Sequence, residues 1–551
     1  MGILTIVKKY LPISIILVLG LALRIICINK PDGLWNDEYV SWMIAATPFS
    51  HGFIDAVKSQ CHMPFYYLYL KFFMTFFGQS DLVLRLSSVF AGVLSLIIMY
   101  LVGKEKDEKT GILCAGFSAI SSFLIYYSQE VRFYSVLFLF SALGLLYLIK
   151  SVKHPNKKNF ILYAIFNSLI LFTHTIGFVF VFFNLVFLSI NLFKQFKKSI
   201  ITLWCSIAVV LLGLTPLVIR IFTTQSFSQW WGHFSISKIG FLFTDYFSPL
   251  LTNLTNAPDN FLYAKSLSLI MIIPTIIAIG CIVKSLIKNK FNILLFLTTV
   301  LSTIVLVLAS ISGKLVFITK YSIEIYPILI YLACSGLSSI ENKLLKNSLI
   351  ILYSMLCLGY IFLAPYSAPK IRRAEGQKIP TDILRQINLK QDDIILLEYY
   401  PANRFTKYFD FSDYRVVEIQ KGNFPKYLSA NTDYSKIYKS GKDIYKEIFK
   451  TNKNSYFENM LQKDIFDNLK TGQSVAVVVL NSVSFYSPQS MAQIIENDDA
   501  YNKTPLLFLV FSYIKNETFN EMLKTLSITN FAQKGNWTVV KFTKLNKTGL
   551  N

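Results

Sequence analysis

Two carboxylates stand side by side at Asp37-Glu38, just past the first long apolar run of the chain. A third, Glu130, closes another such run in the stretch Tyr127-Ser128-Gln129-Glu130-Val131-Arg132-Phe133-Tyr134. An ionisable group at the end of a membrane helix is costly unless it is paired or wetted, so each marks a candidate functional site. A carboxylate next to an acceptor hydroxyl can serve as a general base, an effect typically worth ~10²–10⁴-fold. Cations can hold the charge that develops on a departing phosphate. Such a set suits transfer of a sugar from a lipid phosphate. Phosphate leaves readily, so a base and cations suffice without a strong general acid. Neighbours on a helix point about 100° apart, so one of Asp37 and Glu38 can face a reaction centre while the other orients it.

The cations are placed to match. Arg132 follows Glu130 by two residues, among Tyr126, Tyr127 and Tyr134. It could grip a phosphate through two parallel hydrogen bonds or pair with Glu130. Lys320-Tyr321 opens a late apolar run, where Lys320 could meet phosphate or snorkel to the interface. His62 precedes Pro64 and Tyr66 at a helix start, as a pocket residue or a structural one, and His174 is a weaker candidate of the same kind. If a divalent metal takes part, its candidate ligands are Glu130, His62 and His174; no CxxC or other metal-ligand spacing occurs. Arg24 and Arg85 are expected to pair with the acids or to snorkel. Asp55, Asp81, Asp245 and Asp259 are expected to be solvated loop residues.

The elements that must position these groups are apolar helices. The 551 residues are 53% hydrophobic, with mean hydropathy +0.48. Runs near 11–29, 83–102, 111–127, 135–149, 160–173, 175–193, 200–222, 266–283, 291–311, 322–339 and 347–364 approach the ~20 residues that span a bilayer, about eleven spans in all. The first run is longer than the ~7–15 residues of a signal-peptide core and no small-x-small site follows it, so it reads as a span. The net charge is +22. Lysines cluster at 104–106, 153–158, 194–198, 284–290 and 343–346, at every second loop, which is the cytoplasmic pattern of a polytopic membrane protein. This distribution speaks for membrane topology and against nucleic acid. With Lys8-Lys9 the N-terminus is expected in the cytoplasm.

Of the 13 acidic residues in 1–365, nine then fall on or near the outer side, including Asp37, Glu38, Glu130 and Glu324. That assignment requires His62–Gly78, rich in aromatics and carrying Lys71 mid-run, to lie in the interface rather than span. Trp35–Ala46 reads as a second juxtamembrane helix.

Residues 1–365 therefore read as a transmembrane module and 366–551 as a soluble extracytoplasmic α/β domain. In the tail, strand-like runs (Ile394–Tyr400, Arg415–Ile419, Val475–Leu480, Leu506–Tyr513, Thr538–Phe542) alternate with helix-like runs (Thr381–Ile387, Ile444–Leu469, Asn516–Leu526). All seven cysteines lie in 1–365, so the tail has no disulfide. It has no Gly-rich phosphate loop and so no assigned cofactor; its role is acceptor presentation or structural support.

At these residues the chain resembles the GT-C superfamily of membrane glycosyltransferases. It is most similar to the family 39-like group of protein O-mannosyltransferases and aminoarabinose lipid A transferases. Trp35-Asn36-Asp37-Glu38 matches the first-loop acidic motif, His62-Met63-Pro64-Phe65-Tyr66-Tyr67 the His-x-Pro-aromatic stretch, and Phe77-Gly78 through Arg85-Leu86-Ser87 the join into the second span. Tyr127 to Tyr134 resembles the second outer-loop motif, and Lys320-Tyr321 stands where relatives often carry Arg-Tyr. The resemblance covers about residues 30–190 well and the rest loosely. It implies a polyprenyl-phosphate sugar donor, an inverting reaction, Asp37 as base or key acid and Glu130 as second acidic site, with membrane lipids and an acceptor glycan, lipid or protein as partners. Some relatives use a divalent metal and others do not. A transporter would instead show an internal repeat and midplane acids. A membrane sensor with an outer α/β domain would not need the Asp37/Glu130 constellation.

Overall fold

A computed structural model of the chain describes residues 3–29, 33–59, 62–223, 236–249, 270–287, 289–312, 317–363, 376, 378–398, 405–419, 426–428, 469–480, 526–534 and 537–544. The chain divides into two compact units. The larger holds Met1–Lys30 and Val40–Arg372, the smaller Pro31–Tyr39 and Arg373–Asn551.

The larger unit is helical. Its elements are α1 (Ile3–Ile25), α2 (Asn36–Ala46, whose first turn belongs to the smaller unit), α3 (Phe53–Ser59), α4 (Phe65–Phe77), α5 (Asp81–Lys104), α6 (Glu108–Ile120), α7 (Ser122–Ser128) and α8 (Tyr134–Lys153). There follow α9 (Lys157–Thr173), α10 (Gly177–Thr223), α11 (Ser237–Phe247), α12 (Ile273–Leu286), α13 (Lys290–Ile311), a 3₁₀ turn (Thr319–Ile325), α14 (Tyr326–Ser338) and α15 (Lys343–Leu363). Among the described residues six helices are long and apolar enough to cross a membrane, or seven if the bent pair α6–α7 counts as one span.

Helix α10 is nominally a single 47-residue helix, but the chain reverses inside it. The backbone leaves helical geometry at Phe196, and the Trp204 indole donates to the Ser189 hydroxyl at 3.0 Å. Fifteen residues of straight helix would hold those groups roughly 22 Å apart. The element is a hairpin of two apolar arms, turning where Lys194, Lys197 and Lys198 interrupt the apolar pattern. Helix α4 is amphipathic, as an interfacial helix should be. Tyr66, Tyr67, Leu70 and Met74 are buried while Phe72, Phe76 and Phe77 are exposed. Lys71 crosses to α2 and donates to the carbonyls of Ala45 and Thr47, both at 2.8 Å. The last carbonyls of a helix lack partners within it, and a cation there also suits the helix dipole.

The basic loops gather at one end of this unit. Lys106 Nζ reaches the Ser335 carbonyl at 2.6 Å, and Lys150 lies 3.8 Å from Glu105. The α10 turn meets the start of α9 through Phe196 and Phe160, with ring centroids 6.0 Å apart. Helices α12 and α14 touch there so closely that a Cβ on Gly336 would sit 1.7 Å from the Cys281 carbonyl oxygen. Glycine is the side chain that lets two helix backbones approach this far. The outer-loop motif at 129–133, the turn at His174 and the 3₁₀ segment lie at the other ends of α8, α9 and α14.

Arg24 departs from expectation: it neither pairs with an acid nor snorkels. Helices α6 and α7 are bent by 61° around Ser121, so α6 ends inside the protein. Arg24, fully buried, donates to the Ser118 carbonyl at 3.0 Å, the Ala119 carbonyl at 3.2 Å, the Gly20 carbonyl at 3.0 Å and the Ser128 hydroxyl at 3.1 Å. It is a side-chain cap for a broken helix. Gln129 does the same for α1, donating to the carbonyls of Arg24 and Ile26. Arg85, also buried, donates to the Ile28 carbonyl at 3.1 Å.

The smaller unit is a six-stranded mixed sheet in the order β3-β2-β1-β4-β6-β5, with β1 (Ile394–Glu398), β2 (Arg415–Ile419), β3 (Lys426–Leu428), β4 (Ser474–Leu480), β5 (Leu526–Lys534) and β6 (Trp537–Lys544). β1 is parallel to both β2 and β4, and the remaining pairs are antiparallel. β1 is buried on both faces, which is why it reads as an unbroken Ile-Ile-Leu-Leu run. Helix α16 (Lys378–Gln386) shares a core with it through Ile379, Ile383, Leu384, Ile395, Leu397, Phe405 and Val416. The runs Leu506–Tyr513, Ile444–Leu469 and Asn516–Leu526 fall outside the described residues, except that Leu469 is described and Leu526 opens β5.

Candidate active site

The second outer-loop motif occupies the break between α7 and α8. The Arg132 amide donates to the Glu130 carbonyl at 2.8 Å, a tight local turn, and the Ser88 hydroxyl donates to the same carbonyl at 2.5 Å. Glu130 and Arg132 are both buried, at 8% and 5% exposure, so neither is a solvated loop charge. The Arg132 guanidinium lies 5.4 Å from the Phe133 ring and donates to the Ser41 hydroxyl of α2 at 3.4 Å.

Phe133 is the ring around which the other candidates collect. His62 lies 6.3 Å from it, Tyr66 6.5 Å, His174 5.0 Å and Tyr134 4.5 Å, centroid to centroid. Tyr134 packs on Tyr127 at 4.5 Å, and Lys320 Nζ stands 5.9 Å from the Tyr134 ring. Lys320 is buried in the 3₁₀ segment, where snorkelling does not describe it. Tyr321 closes the circle at 5.8 Å from His174. The helical unit thus brings Arg132, Tyr134, Lys320, Tyr321, His62, Tyr66 and His174 to the motif that carries Glu130.

Two further acids, neither of them a candidate site residue from the sequence, join this set. Glu324, one 3₁₀ turn past Lys320, meets His174 Nδ1 at 2.7 Å and is 2% exposed. Asp245, expected in a solvated loop, is instead buried in α11. Helix α11 ends against the 3₁₀ segment: the Tyr246 hydroxyl donates to the Ser322 carbonyl at 2.6 Å. Asp55 is exposed as expected but sits in helix α3 rather than in a loop, Asp81 opens α5 half-buried, and Asp259 lies outside the described residues.

Asp37 and Glu38 belong to the smaller unit. Trp35 is the N-cap of α2, and the Glu38 carboxylate accepts from its backbone N–H at 3.2 Å. That is half of a capping box, in which a glutamate three residues into a helix returns to the N-cap amide. Glu38 is 1% exposed and Asp37 half-buried. The segment is held by its own unit: the Leu34 amide donates to the Tyr408 hydroxyl at 2.8 Å, and the Tyr39 hydroxyl bonds Thr406 Oγ1 at 2.8 Å. Gly33 adopts φ +86°, and a Cβ there would meet the Lys378 backbone nitrogen at 2.6 Å. Both the left-handed backbone and the close approach require glycine.

The candidate metal ligands do not form a metal site. Among the described residues no three His, Cys, Asp or Glu side chains gather as a metal requires. His62 Nδ1 is hydrogen-bonded to the Tyr67 hydroxyl and His174 Nδ1 to Glu324.

A helical membrane unit with its polar set at one end, in a chain that also folds a small α/β unit, is a GT-C-like fold. Residues 61–219 match the family described as dolichyl-phosphate-mannose-protein mannosyltransferase. The fold is similar to ArnT from Cupriavidus metallidurans bound to undecaprenyl phosphate, with TM-score 0.52 and 11% identity over 96% of this chain and 97% of that one. It is equally similar to the apo state of the same protein, with TM-score 0.53 and 11% identity over 96% and 97%. No curated protein sequence matches the chain.

Proposed function

We propose that the protein transfers a sugar from a polyprenyl-phosphate carrier to an acceptor hydroxyl at the outer face of a membrane. The observation that carries this reading is the buried set around Phe133, in which Arg132 and Lys320 accompany Glu130 and Glu324 at the end opposite the lysine loops. Buried cations of this kind suit a phosphate, and ArnT, whose fold this chain shares, has been seen with undecaprenyl phosphate bound. In the proposed reaction Asp37 takes the acceptor proton. The acceptor oxygen attacks the anomeric carbon from the face opposite the phosphate. The sugar–phosphate C–O bond breaks, and the lipid phosphate leaves with the electron pair and with Arg132 and Lys320 as its cations. Glu38 holds the start of the Asp37 helix, and Glu130 is the second acid. Incubating purified protein with a panel of polyprenyl-phosphate sugars should release lipid phosphate from at least one; release from none overturns the reading.

The two cations are not equivalent. Arginine offers a planar fork, lysine a point charge. Arg132→Ala is expected to weaken donor binding and turnover together, by on the order of tenfold or more, and Lys320→Ala by less. Arg132→Lys should rescue only in part. If a Glu130→Gln, Arg132→Gln double variant binds donor and turns over normally, Arg132 is only the neutralising partner of Glu130.

The sidedness of the site is checked separately. In a cysteine-free background, single cysteines at Asp81 and Lys407 should react with an impermeant thiol reagent from outside, and those at Lys106 and Lys197 only after permeabilisation. Labelling of Asp81 from the cytoplasm would remove the outer site.

A further inference from the structure

We infer that the turn Phe405–Tyr408 of the α/β unit is a positioning element for the Asp37 turn, so that the C-terminal unit sets the geometry of the base. The inference deepens the proposed reading of Asp37 and rests on it for its catalytic part.

Pro31–Tyr39 lies far from residues 373–551 in sequence, yet it folds as part of their unit. Three contacts fasten it. The Tyr408 hydroxyl accepts from the Leu34 amide at 2.8 Å, Thr406 Oγ1 bonds the Tyr39 hydroxyl at 2.8 Å, and Gly33 rests on Lys378 at the start of α16. The first two bracket Asp37, three residues after Leu34 and two before Tyr39. They therefore fix both the approach to α2 and its first turn.

The turn that provides them is itself rigid. Phe405 and Phe409 flank it and are buried in the core of the sheet unit with Ile379 and Ile383. The amides of Tyr408 and Phe409 both donate to the Phe405 carbonyl, at 2.8 and 3.0 Å, and Arg385 of α16 caps the Tyr408 carbonyl. Tyr39, 1% exposed, is itself buried at its end of the clasp. A path of packed core, closed turn and two hydroxyls thus ends at the Leu34 backbone on one side of Asp37 and at the Tyr39 side chain on the other. A displacement of a catalytic group by about 1 Å can cost on the order of 10²-fold in rate, so such a clasp bears on turnover without touching substrate.

The test uses the full-length protein with Tyr408→Phe, Thr406→Val and the pair. Each deletes one hydroxyl and leaves the aromatic core in place. Hydrogen exchange of the amides at 34–39 should quicken by about tenfold or more in the double variant, with exchange in β1 and β4 unchanged. With a donor that wild type turns over, kcat should fall about 10- to 100-fold while KM for the donor stays within about twofold. Unchanged exchange at 34–39 overturns the clasp. Quickened exchange with unchanged kcat overturns its bearing on the base. If wild type turns over no donor of the panel, the proposed function has failed and the exchange measurement alone decides the clasp.

Discussion

Asp37→Asn is expected to lower turnover by on the order of 10²-fold or more while leaving donor binding nearly intact. The substitution keeps the size of the side chain and its place in the first turn of α2, and removes its ability to accept a proton. In the proposed site donor binding rests on Arg132 and Lys320, which the change does not alter. The Glu38 cap on the Trp35 amide also remains, so the helix start keeps its hydrogen bond. The measurement is single-turnover release of lipid phosphate beside donor binding on the same preparation. A folded Asp37→Asn protein with near-normal turnover would reject Asp37 as the base. Glu38→Gln gives a useful contrast. Its amide oxygen can still accept from Trp35, so a mainly capping role predicts a far smaller loss.

The second large effect concerns stability. Arg24→Met should leave little folded protein. Deleting the guanidinium leaves the carbonyls of Ser118 and Ala119 inside the protein without it, at about 1–3 kcal/mol for each buried group left unsatisfied. A margin of about 5–15 kcal/mol does not absorb several such losses easily. Relief from burying a charge works in the opposite direction, but it does not satisfy the carbonyls. Room for the guanidinium is built in: a Cβ on Gly92 would approach Arg24 Nε to 3.1 Å and Ser128 Oγ to 2.3 Å. Arg24→Lys cannot span four acceptors and should recover part of the loss. Thermal unfolding in detergent is the readout, and a Met variant melting within about a degree of wild type would show that the break at Ser121 is held by other means.

The main helices were legible because they are long apolar runs, and the described parts of the eleven runs fall on helical segments, of which six or seven are long and apolar enough to cross a membrane. Their breaks were harder to see. The bend at Ser121 sits inside a continuous apolar stretch and has no proline, so hydropathy is silent there. The signal that exists is Arg24, a charge in an apolar helix whose partner had to be something other than an acid. In the site, Glu130, Arg132 and Lys320 announced themselves as charges at apolar boundaries. Phe133 did not, since one more aromatic in an aromatic-rich chain carries no mark, and its central place comes from tertiary packing. Asp245 was misjudged for a similar reason: it lies in a mixed stretch that reads as loop, whereas that stretch folds as α11, whose end meets the 3₁₀ segment, and Asp245 is buried. In the sheet, β1 and β4 showed as Ile, Leu and Val runs. β5 did not, because an irregularity between Ile528 and Asn530 shifts its register and breaks the two-residue alternation by which a strand is recognised.

The attachment of Pro31–Tyr39 to the C-terminal unit also fixes an order of events during synthesis. Leu34 and its partner Tyr408 are 374 residues apart. At about 5–20 residues per second, the ribosome makes the acceptor hydroxyl roughly 20–75 s after the amide that binds it. Through that interval the helical unit can assemble while the segment bearing Asp37 waits for its clasp. On the proposed reading a nascent chain would therefore hold a donor site without a placed base, and would become competent only when the unit that carries Tyr408 has folded.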